Sequence, residues 1–327
     1  MSSSADRMGA SLLSLAHASR RLGGVLLLAL LGAATVFFAM RAGHGDPALA
    51  VLGEQATPEA ITAFHKRWGL DDPLIVQFWR WLSGAMLGDF GTSMAVAGGT
   101  PISTLIASRI PNTAFIGLYA LAIAISVSLI AGTISALRHG KLVDTAATSF
   151  AVLGISMPDF WLSYVLVYLL ALGTGLFPSY GFESPAVSLS GALYSGFLPA
   201  LAIAAPMAAA FTRILRTSLL ETLYRDYVRV ARSFGYRNRF VFLHFVFRNA
   251  LIPYVTVIGL QVRYLLGGTV VVERIFGIPG IGALMVDAAF GRDYPVVQAC
   301  ALTFLVCVLL VNFLVDLICA ALNPRQA

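Results

Sequence analysis

The chain has 327 residues, 58% of them hydrophobic and only 12% charged, with a mean hydropathy of +0.82 and a formal net charge of +6. Several apolar runs reach about 18 residues or more, the length that crosses a hydrocarbon core, which excludes an ordinary soluble domain and places the chain in a bilayer. The basic residues fall between the apolar runs, where they set membrane orientation and do not mark a nucleic-acid surface.

Arg20 and Arg21 precede the first apolar run, and no small-residue cleavage site follows it closely. Residues 1–21 therefore read as a cytoplasmic extension leading into an uncleaved anchor. Spans are predicted near 24–41, 112–136, 146–173, 197–215, 250–272 and 297–319, six transmembrane helices of an all-α polytopic membrane protein. The fourth carries Pro199 and Pro206, tolerable where neighbouring helices satisfy the freed carbonyls. With the N-terminus inside, fourteen Lys/Arg lie in inner segments against seven in outer ones, the bias expected when both termini are cytoplasmic.

In the long outer loop, 42–111, Thr57 followed by Pro58 and Glu59 predicts one helix start, and Asp72 with Pro73 a second. The second helix carries Leu74, Phe78, Trp79, Trp81, Leu82, Met86 and Leu87, the weight of a helix lying at the membrane interface; a small cap packed on itself is the equal alternative. In the third and fifth spans, Asp159 and Arg263 sit near the middle, where each costs a few kcal/mol facing lipid. Both must face a cavity or a partner. Either they line a substrate path together with Gln261, or they make structural contacts. Pro158 beside Asp159 opens the helix and frees a carbonyl, a feature of midplane binding sites in transporters. Asp316, with Asn312 one turn earlier, reads as a packing residue, and Cys300, Cys307 and Cys319 read as small apolar side chains.

The inner loop 216–249 is too long for a tight connection and too patterned for a flexible one. Tyr227, Val230, Ala231 and Phe234 recur at helical spacing with Arg225, Arg229 and Arg232 between them. Gly235 breaks that helix, and a second is predicted from about Asn238 to Asn249, carrying Phe240, Leu243, Phe247 and Arg248. The product is a basic helix–Gly–helix elbow, which either lies on anionic lipid or is offered to a cytoplasmic partner.

Chemistry is absent where an enzyme would need it. Gly140-Lys141 lacks the spacing and the following Ser/Thr of a phosphate-cradling loop, and there is no His-Glu-x-x-His or Gly-x-Ser-x-Gly pattern. No cofactor is expected on this chain.

The inner loop resembles the cytoplasmic "EAA" loop of ABC-importer permeases: Val230-Ala231, then Gly235, then Arg248-Asn249-Ala250-Leu251-Ile252-Pro253. Arg229 stands where that motif's Glu would be, as is usual in the peptide/nickel branch. Gly45-Asp46-Pro47-Ala48, Gly69-Leu70-Asp71 with Pro73-Leu74, Gly88 to Ser93, Gly154 to Pro158, Phe160-Trp161-Leu162, Phe276 to Gly282 and Arg292 to Gln298 are similar to signatures of the B-type permease subunit of dipeptide and oligopeptide importers. The resemblance covers 22–327 and implies the type I ABC importer permease fold. It also implies a heterodimer with a second permease in a bacterial inner membrane, two ATPase subunits that use ATP and Mg, and an extracytoplasmic solute-binding protein. On that reading Arg229, Ala231, Arg232, Phe234, Gly235, Phe240, Arg248, Asn249 and Pro253 form the coupling contact. An ion-gradient-driven secondary transporter is the alternative, though the inverted repeats and acidic relays it calls for are not seen.

Overall fold

A computed structural model describes residues 24, 27–42 and 45–322, the side chains of 263, 266 and 316–322 excepted. The extension 1–21 lies outside the described residues. In chain order the helices are α1 (Leu27–Ala42), α2 (Pro47–Leu52), α3 (Pro58–Trp68), α4 (Leu74–Met86), α5 (Ile102–Leu137), α6 (Leu142–Ser156) and α7 (Asp159–Leu166), which runs on in wide π turns over Val167–Leu172. There follow α8 (Leu189–Ser195), α9 (Phe197–Leu223), α10 (Asp226–Ser233), α11 (Asn238–Val241), π turns over Phe242–Phe247, α12 (Arg248–Phe276), α13 (Ile281–Phe290) and α14 (Tyr294–Leu322). Among the described residues there is no β-strand, only one isolated bridge between Thr92 and Pro101.

The chain divides into two compact units, one formed by the residues up to Leu105 with Asp287–Leu309, the other by Ile106–Val286 with the chain beyond Leu310. In the first, both helix starts read from local chemistry are present. Thr57 caps α3, its hydroxyl accepting the Ala60 amide at 3.2 Å, with Pro58 in the first turn. Asp46 caps α2 in the same way through the Ala48 amide, 2.8 Å away. The Asp46 carboxylate also holds His65 Nε2 at 2.9 Å, while His65 Nδ1 faces Asp71 at 3.5 Å, so both ring nitrogens point at carboxylates. The hydrogen bond to Asp46 holds the imidazole above its ordinary pKa despite partial burial. Burial pushes Asp46 up, but His65 and the Ala48 amide outweigh it and the carboxyl lies below its usual range.

Further along this unit, buried Asp293 accepts the Ser93 hydroxyl at 2.5 Å and the Ala95 and Val96 amides at 2.9 and 3.1 Å. Tyr294 donates to the Gly45 carbonyl at 2.9 Å. Stretches quoted separately along the sequence, 45–48, 88–93 and 292–298, thus close on one another. Helix α4 buries Gln77 and Phe78, the latter edge-on to Phe37 with ring centroids 5.3 Å apart, and leaves Ile75, Trp79, Met86 and Leu87 exposed. The cap therefore packs on itself along one face of α4, and the other face keeps the apolar and aromatic character of an interfacial helix.

In the second unit α9 is the centre. Of its most apolar stretch 67% is buried, against 28% for α5, so α5 and the helices around it turn their other faces to lipid or partners. Lipid tails are as apolar as leucine, so close backbone approach, not water exclusion, holds such helices together. Ala200, Ala202, Ala204 and Ala208 supply small surfaces, and Gly132 of α5 and Gly154 of α6 meet α9 where a Cβ would lie 3.1 Å from Leu215 and from Ala209 respectively.

The Phe276–Gly282 turn is organised by Glu273, which is fully buried and accepts the Thr113 hydroxyl at 2.7 Å and the Ala283 amide at 3.0 Å. Gly277 takes the left-handed conformation at φ +66°, and a Cβ on Gly280 would collide with the Glu273 carboxylate.

The helices differ in detail from the expected spans. Among the described residues four helical stretches are individually long and apolar enough to cross a bilayer, and three bent pairs raise the number that length and composition permit to as many as seven, a range that includes the expected six. The helix that holds the expected span 112–136 is longer than it, since α5 starts at Ile102 and continues through Pro111. The third, 146–173, is not one rod: α6 and α7 meet at 108° across Met157 and Pro158. The predicted helix 238–249 and the fifth span, 250–272, run together, since helical turns pass from Asn238 through the π turns into α12. Helix α13, bent 77° from the end of α12, was not anticipated.

Candidate functional site

The elbow follows from a short helix that must stop. Asp226 stands in the first turn of α10 and Arg232 in the last, each complementing the helix dipole. Gly235 then takes φ +79°, its amide donating to the Arg232 carbonyl at 3.0 Å. A Cβ at Gly235 would meet nothing within 4 Å, so conformation and not space calls for glycine; any other residue pays about 1–2 kcal/mol there.

The apolar residues of the elbow divide between two faces. Val228 and Ala231 turn inward and, with Val241, Val246 and Ala250, join the core that contains Leu215 and Leu219 of α9. Ala231 was placed in the coupling contact from the sequence, but it is 6% exposed and packs against this chain's own helices. The outward face carries Tyr227, Val230, Phe234, Tyr236, Phe240 and Leu243, all exposed, with Arg229, Arg232 and Arg248 exposed around them. Tyr236, Phe240 and His244 stack in a row, with successive centroids 5.5 and 4.2 Å apart, giving the outer face a rigid aromatic ridge. Arg229 is loosely paired with Asp226 at 3.8 Å. Asn249 ties the two arms together, its amide donating to the Phe245 carbonyl at 2.7 Å and to the Tyr227 hydroxyl at 3.2 Å. Pro253 and Asn249 border a polar cleft of about 510 Å³ shared with Ser218, Glu221, Arg225 and Tyr227.

The second candidate cluster surrounds Asp159. The bend after Ser156 puts it at the start of α7, half-buried, with Oδ1 accepting the Phe160 amide at 2.9 Å and Oδ2 3.4 Å from the Tyr264 hydroxyl. Gln261, half-buried and three residues before Tyr264, shares its face of α12. The side chains of Arg263 and Asp316 lie outside the described residues.

Tyr264 was missed from the sequence, and so was a buried ion pair at the other end of α6. Asp144, 4% exposed, receives Arg216 Nε at 2.6 Å, Arg216 Nη2 at 2.9 Å, the Ser135 hydroxyl at 2.5 Å and the Gly140 amide at 2.9 Å, with His139 Nδ1 at 3.0 Å. An acid at the first turn of an apolar run is the one signal that could have found it.

Comparison with known proteins agrees with this architecture. Residues 128–327 match the model of the binding-protein-dependent transport system inner membrane component, and residues 15–115 match that of its N-terminal region. The chain is 37% identical to the oligopeptide transport system permease protein AppB of Bacillus subtilis (strain 168) over 88% of its own length and 92% of the relative's. It is likewise 37% identical to the glutathione transport system permease protein GsiC of Escherichia coli (strain K12), over 93% and 96% of the two chains. A crystal structure of an amino acid ABC transporter with histidines superposes with a TM-score of 0.53 at 16% identity, covering 66% of this chain and 93% of that one, a likeness of fold. None of these relatives supports the ion-gradient-driven alternative. The chain belongs to the binding-protein-dependent transport system inner membrane components, and is a multi-pass inner-membrane permease subunit of an ATP-driven importer.

Proposed function

We propose that this permease imports peptides or similar small solutes as one half of a heterodimeric pore, and that the elbow around Gly235 is where a separate ATPase subunit grips it. The observation that carries the reading is the two-faced elbow: Val228 and Ala231 sit in the core shared with α9 while Phe234, Phe240 and the arginines stand outward. Aromatic side chains in such a position supply the apolar area of a contact, and arginines give it orientation and salt sensitivity. Two ATPase subunits, using ATP and Mg, would close around a pair of such elbows and move the spans. A second permease completes the pore, and the outer loop receives a solute-binding protein. Both termini lie in the cytoplasm on this reading, the arrangement that keeps the elbow within reach of the ATPase. The relatives' names, oligopeptide and glutathione permeases, favour a peptide-like cargo.

Asp159, with Tyr264 and Gln261 on the facing helix, is proposed to line the path, and Arg263 belongs to the same stretch of α12. A broken helix that presents a carboxylate and a hydroxyl suits a solute carrying an amino group.

The test is reconstitution of the four-subunit complex in proteoliposomes with its binding protein. Gly235→Val is expected to leave the permease inserted but to lose ATPase subunits on purification, or to keep them while transport fails. Normal transport by that variant, or labelling of a cysteine at position 234 from the outside of intact cells, would remove the coupling assignment.

A further inference from the structure

The contact between α6 and α9 has fixed points at both ends. At one, Asp144 in the first turn of α6 holds Arg216 by two hydrogen bonds of 2.6 and 2.9 Å. At the other, two residues before α6 ends, Gly154 lies so close to α9 that a Cβ would sit 3.1 Å from the Ala209 Cβ and 3.3 Å from the Ala205 carbonyl. Contacts that advance along α6 while retreating along α9 describe two antiparallel helices clamped at both ends. Immediately beyond the second clamp comes the bend at Met157 and Pro158, and then Asp159.

The other partner of the ion pair leads to the elbow. Arg216 is in the last two turns of α9, which ends at Leu223, and α10 starts at Asp226. Leu219, Val228, Ala231, Val241 and Ala250 form a continuous core there, and the Ser218 hydroxyl donates to the Ala250 carbonyl at 3.1 Å. The end of α9 and the elbow are therefore packed together through a shared core and a hydrogen bond. The pair also gathers the end of α5 and the following turn, because Ser135, His139 and Gly140 all reach the same carboxylate.

We propose that the Arg216–Asp144 pair is a positioning link for transport, making α6 and the bend that carries Asp159 follow any displacement of the elbow. The inference rests on the reading of the elbow as the ATPase contact. A bidentate, charge-assisted contact on a buried carboxylate is suited to the task because it is directional and because, once pulled apart, it leaves the Asp144 charge in a poorly solvated place. Packing alone at Gly154 resists approach of the two helices but lets them slide.

The experiment uses the assembled complex in proteoliposomes with its loaded binding protein. In Asp144→Asn and Arg216→Gln, solute moved per ATP hydrolysed is expected to fall by about tenfold or more while binding-protein-stimulated ATPase activity is retained, since the elbow itself is intact. A proportional fall in both activities would show a merely structural pair, and transport and ATPase activities both at the parent's level would show no link; either overturns the proposal. Arg216→Lys, which keeps the charge but loses the fork, is expected to fall between. Should the asparagine variant fail to assemble, spin labels decide the matter with the native pair in place. Labels at exposed Leu142 and Tyr224, in a chain with Cys300, Cys307 and Cys319 replaced, should keep their separation within about 2 Å between nucleotide-free and ATP-bound complexes. A larger change would mean that α6 does not follow the elbow. Gly235→Val separates the two readings: if it is silent, the elbow assignment fails; if it uncouples while Asp144→Asn does not, only the link fails.

Discussion

The Glu273 carboxylate receives the Thr113 hydroxyl at 2.7 Å, and through that bond the end of α12 is joined to the outer part of α5. The Thr113 oxygen in turn accepts the Ile281 amide at 2.9 Å, so one acid organises the turn from 277 to 283. Glu273→Ala would leave a hydroxyl and the Gly282 and Ala283 amides without their acceptor in a site that excludes water. The expected cost is about 3 kcal/mol, with Glu273→Gln intermediate, and the thermal midpoint of the detergent-solubilised protein measures it. An alanine variant that melts with the parent would show the acid to be dispensable.

Two glycines of the same region should respond in opposite ways to the same change. Gly280→Ala drives a Cβ into the Glu273 carboxylate, so either the turn or the acid must shift, at about 1–3 kcal/mol. Gly267→Ala in α12 meets nothing within 4 Å and is expected to be neutral or slightly stabilising, since alanine is the better helix former by about 1 kcal/mol. Equal effects of the two substitutions on the thermal midpoint would refute the close-approach account.

What the sequence made legible was the chemistry that acts within a few residues. Thr57 before Pro58 announces its helix, and Gly235 its positive φ, because capping and backbone conformation are local. The long apolar runs were equally plain. Pro158 foretells a break but not its 108° angle, and nothing in the local sequence announces that Gly154, just before the break, seats against Ala205 and Ala209 of α9. Which of the two apolar faces of α10 turns inward is likewise not a local matter: Val228 and Ala231 join the core shared with α9, while Val230 and Phe234 stay exposed. Arg216, which pairs with Asp144, and Tyr264, which faces Asp159, lie 72 and 105 residues away in sequence, with no spacing rule to connect them.

The His65–Asp46 contact gives the first unit a pH dependence of defined sign. His65 is held above its ordinary value, so its contribution is complete below the unfolded imidazole pKa, about 6.5, and is lost as pH rises through the higher folded value. Asp46 is held low, so its contribution is present above the unfolded carboxyl pKa and is lost as pH falls through the folded one. Protection factors of the amides in α2 and α3, that is exchange corrected for its intrinsic base catalysis, should therefore be largest between those limits and fall as His65 deprotonates. His65→Gln should flatten the alkaline side of that profile and shrink the acid side as well, because His65 is the larger of the two contacts that hold Asp46 low. A profile unchanged by the substitution would exclude His65 as the titrating group.

Asp159 should matter to the solute more than to the fold. Its carboxylate is half-buried after the bend, and the Tyr264 hydroxyl 3.4 Å away is too distant to be a strong hydrogen bond, which leaves the acid free to take a better donor. An amino group on the cargo is such a donor, and in a low-dielectric path the charged contact is worth far more than in water. Asp159→Asn keeps the shape and removes the charge, so transport of a solute with a free amino group is expected to fall by about tenfold, while an N-acetylated analogue loses much less. Tyr264→Phe removes only the weak hydroxyl contact and should change transport by about fivefold at most. Binding-protein affinity and complex yield serve as controls, because a structural defect lowers yield and spares the difference between the two solutes. If both solutes decline together in Asp159→Asn at normal yield, the carboxylate does not read the amino group and its place in the path is lost.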